Sequence, residues 1–125
     1  MDAKFKVKVE ITSQFVSYSS ENDQDEYVFS YTAIITNQTY TTIRLLKRDL
    51  KITNGDNEVF RLDGNGVLGQ RPYIGPSESF SYSGGVIIET PVGLVEGIYT
   101  MVTQEGDSFE VVIPEFRVAV PNSIH

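Results

Sequence analysis

Tyr27-Val28-Phe29-Ser30-Tyr31-Thr32-Ala33-Ile34-Ile35-Thr36 is the stretch whose reading decides the fold. With a period of two it places Tyr27, Phe29, Tyr31, Ala33 and Ile35 on one side and Val28, Ser30, Thr32, Ile34 and Thr36 on the other. Aromatic and β-branched residues dominate it, as a packed pleated surface prefers. Upstream, Lys4 to Thr12 alternates strictly, with Phe5, Val7, Val9 and Ile11 opposite Lys4, Lys6, Lys8 and Glu10. That predicts a half-buried strand. Downstream, Ile43 and Leu45 start in phase and the apolar positions then shift to Leu46, Leu50 and Ile52, which predicts a bulge or bend. Asn54-Gly55 predicts a two-residue hairpin turn with positive φ at both positions, returning as a strand over 58–62.

A Gly- and Pro-rich connection follows from Asp63 to Pro76. Further strands are expected near 79–82, 86–89, 97–103, 108–113 and 115–120, and no segment of ten or more residues carries a 3.6-residue period. Short strands, frequent turns and no helix predict an all-β sandwich of two antiparallel sheets with about seven to nine strands, immunoglobulin or fibronectin type III-like. Tyr99 and Met101 suit the tyrosine and core positions of a late strand in such sandwiches. With neither Trp nor Cys, an antibody-type domain is excluded. The 125 residues are expected to form one domain with one core.

The net charge of −7 argues against a nucleic-acid partner, whose backbone is held by Lys and Arg. Residues 1–71 hold nine of the ten Lys/Arg and ten of the 17 Asp/Glu, so any basic surface must come from that part. No apolar run reaches the roughly 18 residues that cross a bilayer, and no apolar leader opens the sequence. A cytoplasmic protein without membrane attachment is expected. Absence of cysteine removes disulfides, thiolate nucleophiles and sulfur ligands.

Gly64-Asn65-Gly66-Val67-Leu68-Gly69 matches GxGxxG, but Pro72 and Pro76 forbid the helix that a dinucleotide fold needs next. Two readings stay open for this loop. Successive glycine amides, with Arg61 and Arg71 as flanks, could hold a small anion, so Gly64, Gly66, Gly69, Arg61 and Arg71 are the candidate ligand-binding residues. The preferred alternative is a tight connection between strands.

His125 is the only histidine, which excludes a Ser-His-Asp triad and a histidine-rich metal site. The acidic run Glu21-Asn22-Asp23-Gln24-Asp25-Glu26 fails as a calcium loop because Tyr27 and Val28 fall where Asp/Asn and Gly belong, so a solvated connection is expected. No catalytic set, metal site or cofactor is predicted. Arg48, in phase with Leu46, Leu50 and Ile52, is expected to face inward and to form a structural ion pair.

Gly64 to Pro72, Tyr82-Ser83-Gly84, Gly93-Leu94-Val95-Glu96-Gly97-Ile98-Tyr99 and Ile113-Pro114-Glu115-Phe116 together resemble the ApaG family over nearly the whole chain. The resemblance implies the same sandwich fold. It also implies an association with cobalt resistance and magnesium efflux in bacterial members, and a binding role where eukaryotic proteins carry the domain. Where members commonly have Arg-His-Trp, this chain has Arg48-Asp49-Leu50, so a role resting on that His or Trp does not carry over. The functional expectation is a non-enzymatic binding or regulatory module, monomeric or homodimeric, that offers loops or a sheet edge to a protein partner or a small anion. Nucleotide, pyrophosphate or phosphoester chemistry at 64–71 is the alternative.

Overall fold

The computed structural model describes residues 6–122, so Lys4, Phe5 and His125 lie outside the described residues. Its centre is the predicted strand. On β2 (Gln24–Asn37), Phe29, Tyr31, Ala33 and Ile35 are all buried, and the intervening Thr32 and Ile34 are exposed. β1 (Val7–Glu21) pairs with one edge of β2 and β6 (Ser79–Ile88) with the other, both antiparallel. The facing sheet runs β4 (Val59–Asn65), β3 (Ile43–Asn54), β7 (Val92–Thr103), β8 (Ser108–Ala119). The short β5 (Tyr73–Ile74) pairs with the start of β3, on the edge where β4 pairs further along. Among the described residues there is no α-helix, and no helix is long and apolar enough to cross a membrane.

Several boundaries differ from the sequence expectation for identifiable reasons. β1 continues to Glu21 because a bulge between Phe15 and Ser17 absorbs the loss of alternation after Ile11. The acidic run becomes its tight turn, with Asn22 and Asp23 both at positive φ. The expected break near Gly84 and Gly85 is absent. The Tyr31 ring lies over Gly84 so closely that a Cβ there would stand 2.6 Å from it, so the glycine clears a ring and does not end a strand. Pro114 likewise does not split β8; it sits at a register shift against β7, where a missing N–H is tolerated.

The phase change in β3 is a bulge between Leu45 and Lys47. Leu46, expected to point inward, is the extra residue and is only half-buried. The hairpin after β3 forms, but with a longer loop than Asn54-Gly55 alone. The positive φ falls on Asn57, and the buried Asn54 carboxamide accepts from the Asp56 and Glu58 amides. Gly55 serves close approach instead, its N–H donating to Thr90 Oγ1 at 2.8 Å.

Candidate functional site

Between the sheets lies a polar strip that composition does not announce. Tyr31 on β2, Tyr82 on β6 and Tyr99 on β7 are each at most 5% exposed. The Tyr82 and Tyr99 hydroxyls share a hydrogen bond of 2.6 Å, and the Tyr31 and Tyr82 rings pack edge to face at 5.9 Å. Arg48 enters from β3 and its Nη1 donates to the Tyr31 hydroxyl at 3.1 Å. Arg48 thus faces inward as expected. Its partner is a phenol where a carboxylate was expected, because the side chains it reaches across the sandwich are tyrosines. Among the described residues no carboxylate lies within salt-bridge distance of it. Its Nε is buried and has no partner among the described residues.

Burial disfavours phenolate, so all three tyrosines titrate above their ordinary value, Tyr99 at about 12. Arg48 partly offsets this by favouring the anion. The result is a neutral, rigid hydroxyl cluster beneath one cation.

The glycine loop begins beside that cation. Gly64 lies within β4, directly opposite Arg48, and Arg48 Nη2 would stand 3.9 Å from a Cβ placed on it. Beyond β4 the chain makes a miniature hairpin in which Val67 and Gln70 exchange both backbone bonds at 2.8 Å. Leu68 and Gly69 occupy its turn, at φ 51° and 73°. Both central residues in the left-handed region is the mirror-image turn that suits a hairpin. The Gly66 amide donates to the Leu46 carbonyl at 2.7 Å, and a Cβ on Gly66 would meet the Gln70 carbonyl oxygen at 1.9 Å.

Three of the amides that an anion nest would use are therefore committed to carbonyls. The structure brings Gly64, Gly66, Arg71 and Arg48 together, since the Arg71 stem runs over Gly66. Gly69 belongs to the turn, and Arg61 is elsewhere: it lines an outer groove with Asp49, Lys51, Asp63 and Glu96.

Two surface features of this region escaped the sequence reading. Leu68, at the tip of the turn, is 70% exposed. Tyr73, just past the loop, is 67% exposed and carries the Arg44 guanidinium 4.4 Å from its ring centre, while Arg44 Nε donates to the Arg71 carbonyl at 2.9 Å. Arg44, Leu46, Tyr73, Val102 and Gln104 line a cleft of about 440 Å³. Tyr73 was legible only as part of a Gly- and Pro-rich connection, and nothing local marks a leucine at positive φ. Among the described residues, no group of three or more His, Asp or Glu is arranged to hold a metal ion.

Two facing antiparallel sheets around a buried late-strand tyrosine define an immunoglobulin or fibronectin type III-like sandwich. The ApaG domain model matches residues 17–103. The chain is 41% identical over 120 residues to Protein ApaG of Enterobacter sp. strain 638, covering 96% of each. It belongs to the ApaG family. Among solved structures, a structural-genomics target determined by X-ray superposes with a TM-score of 0.96 at 31% identity, over 99% of this chain and 94% of that one. A candidate ApaA protein from Bordetella pertussis gives 0.86 at 38% identity, over 94% and 95%.

Proposed function

We propose that the protein is a non-enzymatic binding module, and that it meets a protein partner through the end of the sandwich formed by Leu68, Tyr73 and Arg44. The observation that carries this is Leu68, a large apolar side chain held 70% exposed on a backbone at φ 51°. That conformation costs about 1–2 kcal/mol for an L-residue other than glycine. Cost without internal burial is what a recognition residue shows, and loops set on rigid scaffolds are the usual place for one. Tyr73 adds a flat amphipathic surface of the kind that dominates interface energetics. The link to cobalt and magnesium that family resemblance implies is read as indirect, acting through that partner.

The test is affinity capture from the native cell with the wild-type chain and with a Leu68→Ser, Tyr73→Ala double variant. A protein retained by the first and lost with the second supports the reading; the same proteins on both sinks it. Turnover of phosphoesters by the purified chain, abolished by substitutions in the loop, would overturn the non-enzymatic half.

A small anion at the loop is the second reading, and the unpartnered Nε of Arg48 is what favours it. Thermal-shift titration with pyrophosphate decides, because a ligand bound to the folded state alone raises stability by RT ln(1 + [L]/Kd). No shift at millimolar pyrophosphate removes it.

A further inference from the structure

Among the described residues β4 is the open edge of its sheet, and its apolar side chains do not suit an edge left in water. Val59, Phe60 and Leu62 are 50%, 45% and 43% exposed. Edge strands of monomers are normally blunted by charge, proline or brevity; this one runs seven residues with apolar groups on both faces, and its two charges, Arg61 and Asp63, are of opposite sign.

The direction of its free backbone groups follows from its pairing. The Asn54 N–H donates to the Glu58 carbonyl at 2.9 Å and the Gly66 N–H to the Leu46 carbonyl at 2.7 Å. In an antiparallel ladder, bonded pairs alternate. Residues in phase with Glu58 and Gly66, namely Phe60, Leu62 and Gly64, therefore bond to β3, and Val59, Arg61, Asp63 and Asn65 turn their N–H and C=O groups outward.

We propose that β4 pairs antiparallel with β4 of a second copy of this chain, across a two-fold axis through Leu62, joining the two sheets into one. The sequence Val59-Phe60-Arg61-Leu62-Asp63-Gly64-Asn65 is complementary to itself in that register. Arg61 falls opposite the other copy's Asp63 with outward backbone groups on both, so the pair exchanges two main-chain bonds as well as opposite charges. Leu62 meets its own equivalent. Phe60 falls opposite Gly64, where a large ring covers the bare backbone. Leu62 and Phe60 share the face of the buried Leu50 and Ile52, so their contact extends the core across the junction.

Charge selects the register. Shifting the axis to Arg61 sets arginine against arginine, and shifting it to Asp63 sets aspartate against aspartate. The outer face argues the same way over four residues. In one chain Lys51 stands opposite Arg61, and Asp49 opposite Asp63, two like-charge pairs side by side. Across the proposed axis the row reads Lys51, Arg61, then Asp63 and Asp49 of the other copy, so each unfavourable pair runs onto its complement. Burial and a hydrogen bond shared with Asp63 already raise the Asp49 carboxyl above its ordinary value, with Lys47 offsetting only part of the rise. This surface is separate from Leu68 and Tyr73, so either proposal can fail alone.

The chain has no cysteine, which makes the register directly readable. Leu62→Cys should form an intermolecular disulfide under mild oxidation, because residues on the axis face each other as a non-bonded pair. Val112→Cys, 73% exposed on β8, should not. Sedimentation of the wild-type chain over a concentration series should show reversible dimerisation. Arg61→Asp alone and Asp63→Arg alone should each weaken it roughly tenfold, and the two together should restore it to within about threefold, as opposed charges on facing strands predict. The charge exchange keeps the test decisive if Leu62→Cys does not fold. A monomer at every concentration to the millimolar range overturns the proposal, as does a dimer indifferent to both reversals or one that cross-links as readily through Val112→Cys.

Discussion

The Tyr82 hydroxyl on β6 and the Tyr99 hydroxyl on β7 lie 2.6 Å apart, a hydrogen bond that joins the two sheets through the middle of the core. Both side chains are buried, so neither oxygen has water as an alternative partner. Removing the Tyr82 hydroxyl strands that of Tyr99, and removing that of Tyr99 leaves the Tyr82 hydroxyl only the Tyr31 phenol. Tyr99→Phe and Tyr82→Phe should each cost about 1–3 kcal/mol in urea unfolding, and the double variant should cost less than the two added. Strict additivity would show that the pair contributes no coupling.

Alkaline pH should attack the same cluster. The phenols of Tyr31, Tyr82 and Tyr99 titrate above the ordinary value of 10.0 in the folded state, chiefly through burial. The unfolded chain therefore loses these protons first. Their contribution to stability is complete below pH 10 and falls as pH rises toward the folded value of Tyr99, about 12. Denaturant midpoints measured from pH 8 to 11.5 should be flat and then decline. Tyrosinate absorbance should show part of the chain's seven tyrosines ionising only with unfolding. Smooth ionisation of all seven near 10 in a folded protein would contradict the burial argument.

Those two outcomes turn on residues whose place was only half legible in the sequence. Alternation put Tyr31 on one side with Phe29, Ala33 and Ile35, because a period of two needs no knowledge of the partner sheet, and the late-strand pattern of such sandwiches pointed to Tyr99. That Tyr82 would meet Tyr99 needed the order of strands across the sandwich, which one chain's pattern does not contain. The same limit governs Arg48: its phase with Leu50 and Ile52 told its direction, and the opposing tyrosines, set by β2 and β6, told its partner. The glycines failed for a different reason. Gly84 and Gly66 look alike as letters, yet one makes room for a ring and the other for a carbonyl of its own loop. Buried Asn37 was missed because a polar residue in a connection reads as solvated. Its carboxamide donates to the Thr41 and Ile74 carbonyls and accepts from Thr39, which ties β5 and the end of the glycine loop to β2.

Asn37→Ala should thus be far costlier than a surface asparagine. It leaves the buried Ile74 carbonyl and the Thr39 amide without their partner and the Thr41 carbonyl with only the Thr39 hydroxyl, the first two being desolvated groups that water does not reach freely. A loss of about 2–4 kcal/mol is expected by thermal or urea unfolding, against no more than about 0.5 kcal/mol for the exposed Asn65→Ala. Equal effects would mean that water satisfies the connection as well as the carboxamide does.

Gly66 and Gly69 allow the two sources of glycine cost to be separated inside one loop. Both hold positive φ, 69° and 73°, so an alanine at either pays the left-handed strain of about 1–2 kcal/mol. Only Gly66 is also crowded: its Cβ would meet the Gln70 carbonyl oxygen at 1.9 Å, whereas nothing lies within 4 Å of one on Gly69. That oxygen is backbone and is held by the Val67 amide, so it cannot swing aside without opening the miniature hairpin. Gly69→Ala should accordingly lose only the strain, and Gly66→Ala about 3 kcal/mol or more, with protection of the Val67 and Gln70 amides lost in hydrogen exchange. Comparable costs at the two sites, or retained protection in Gly66→Ala, would show that the loop relaxes around a methyl group and that its closed turn is not rigid.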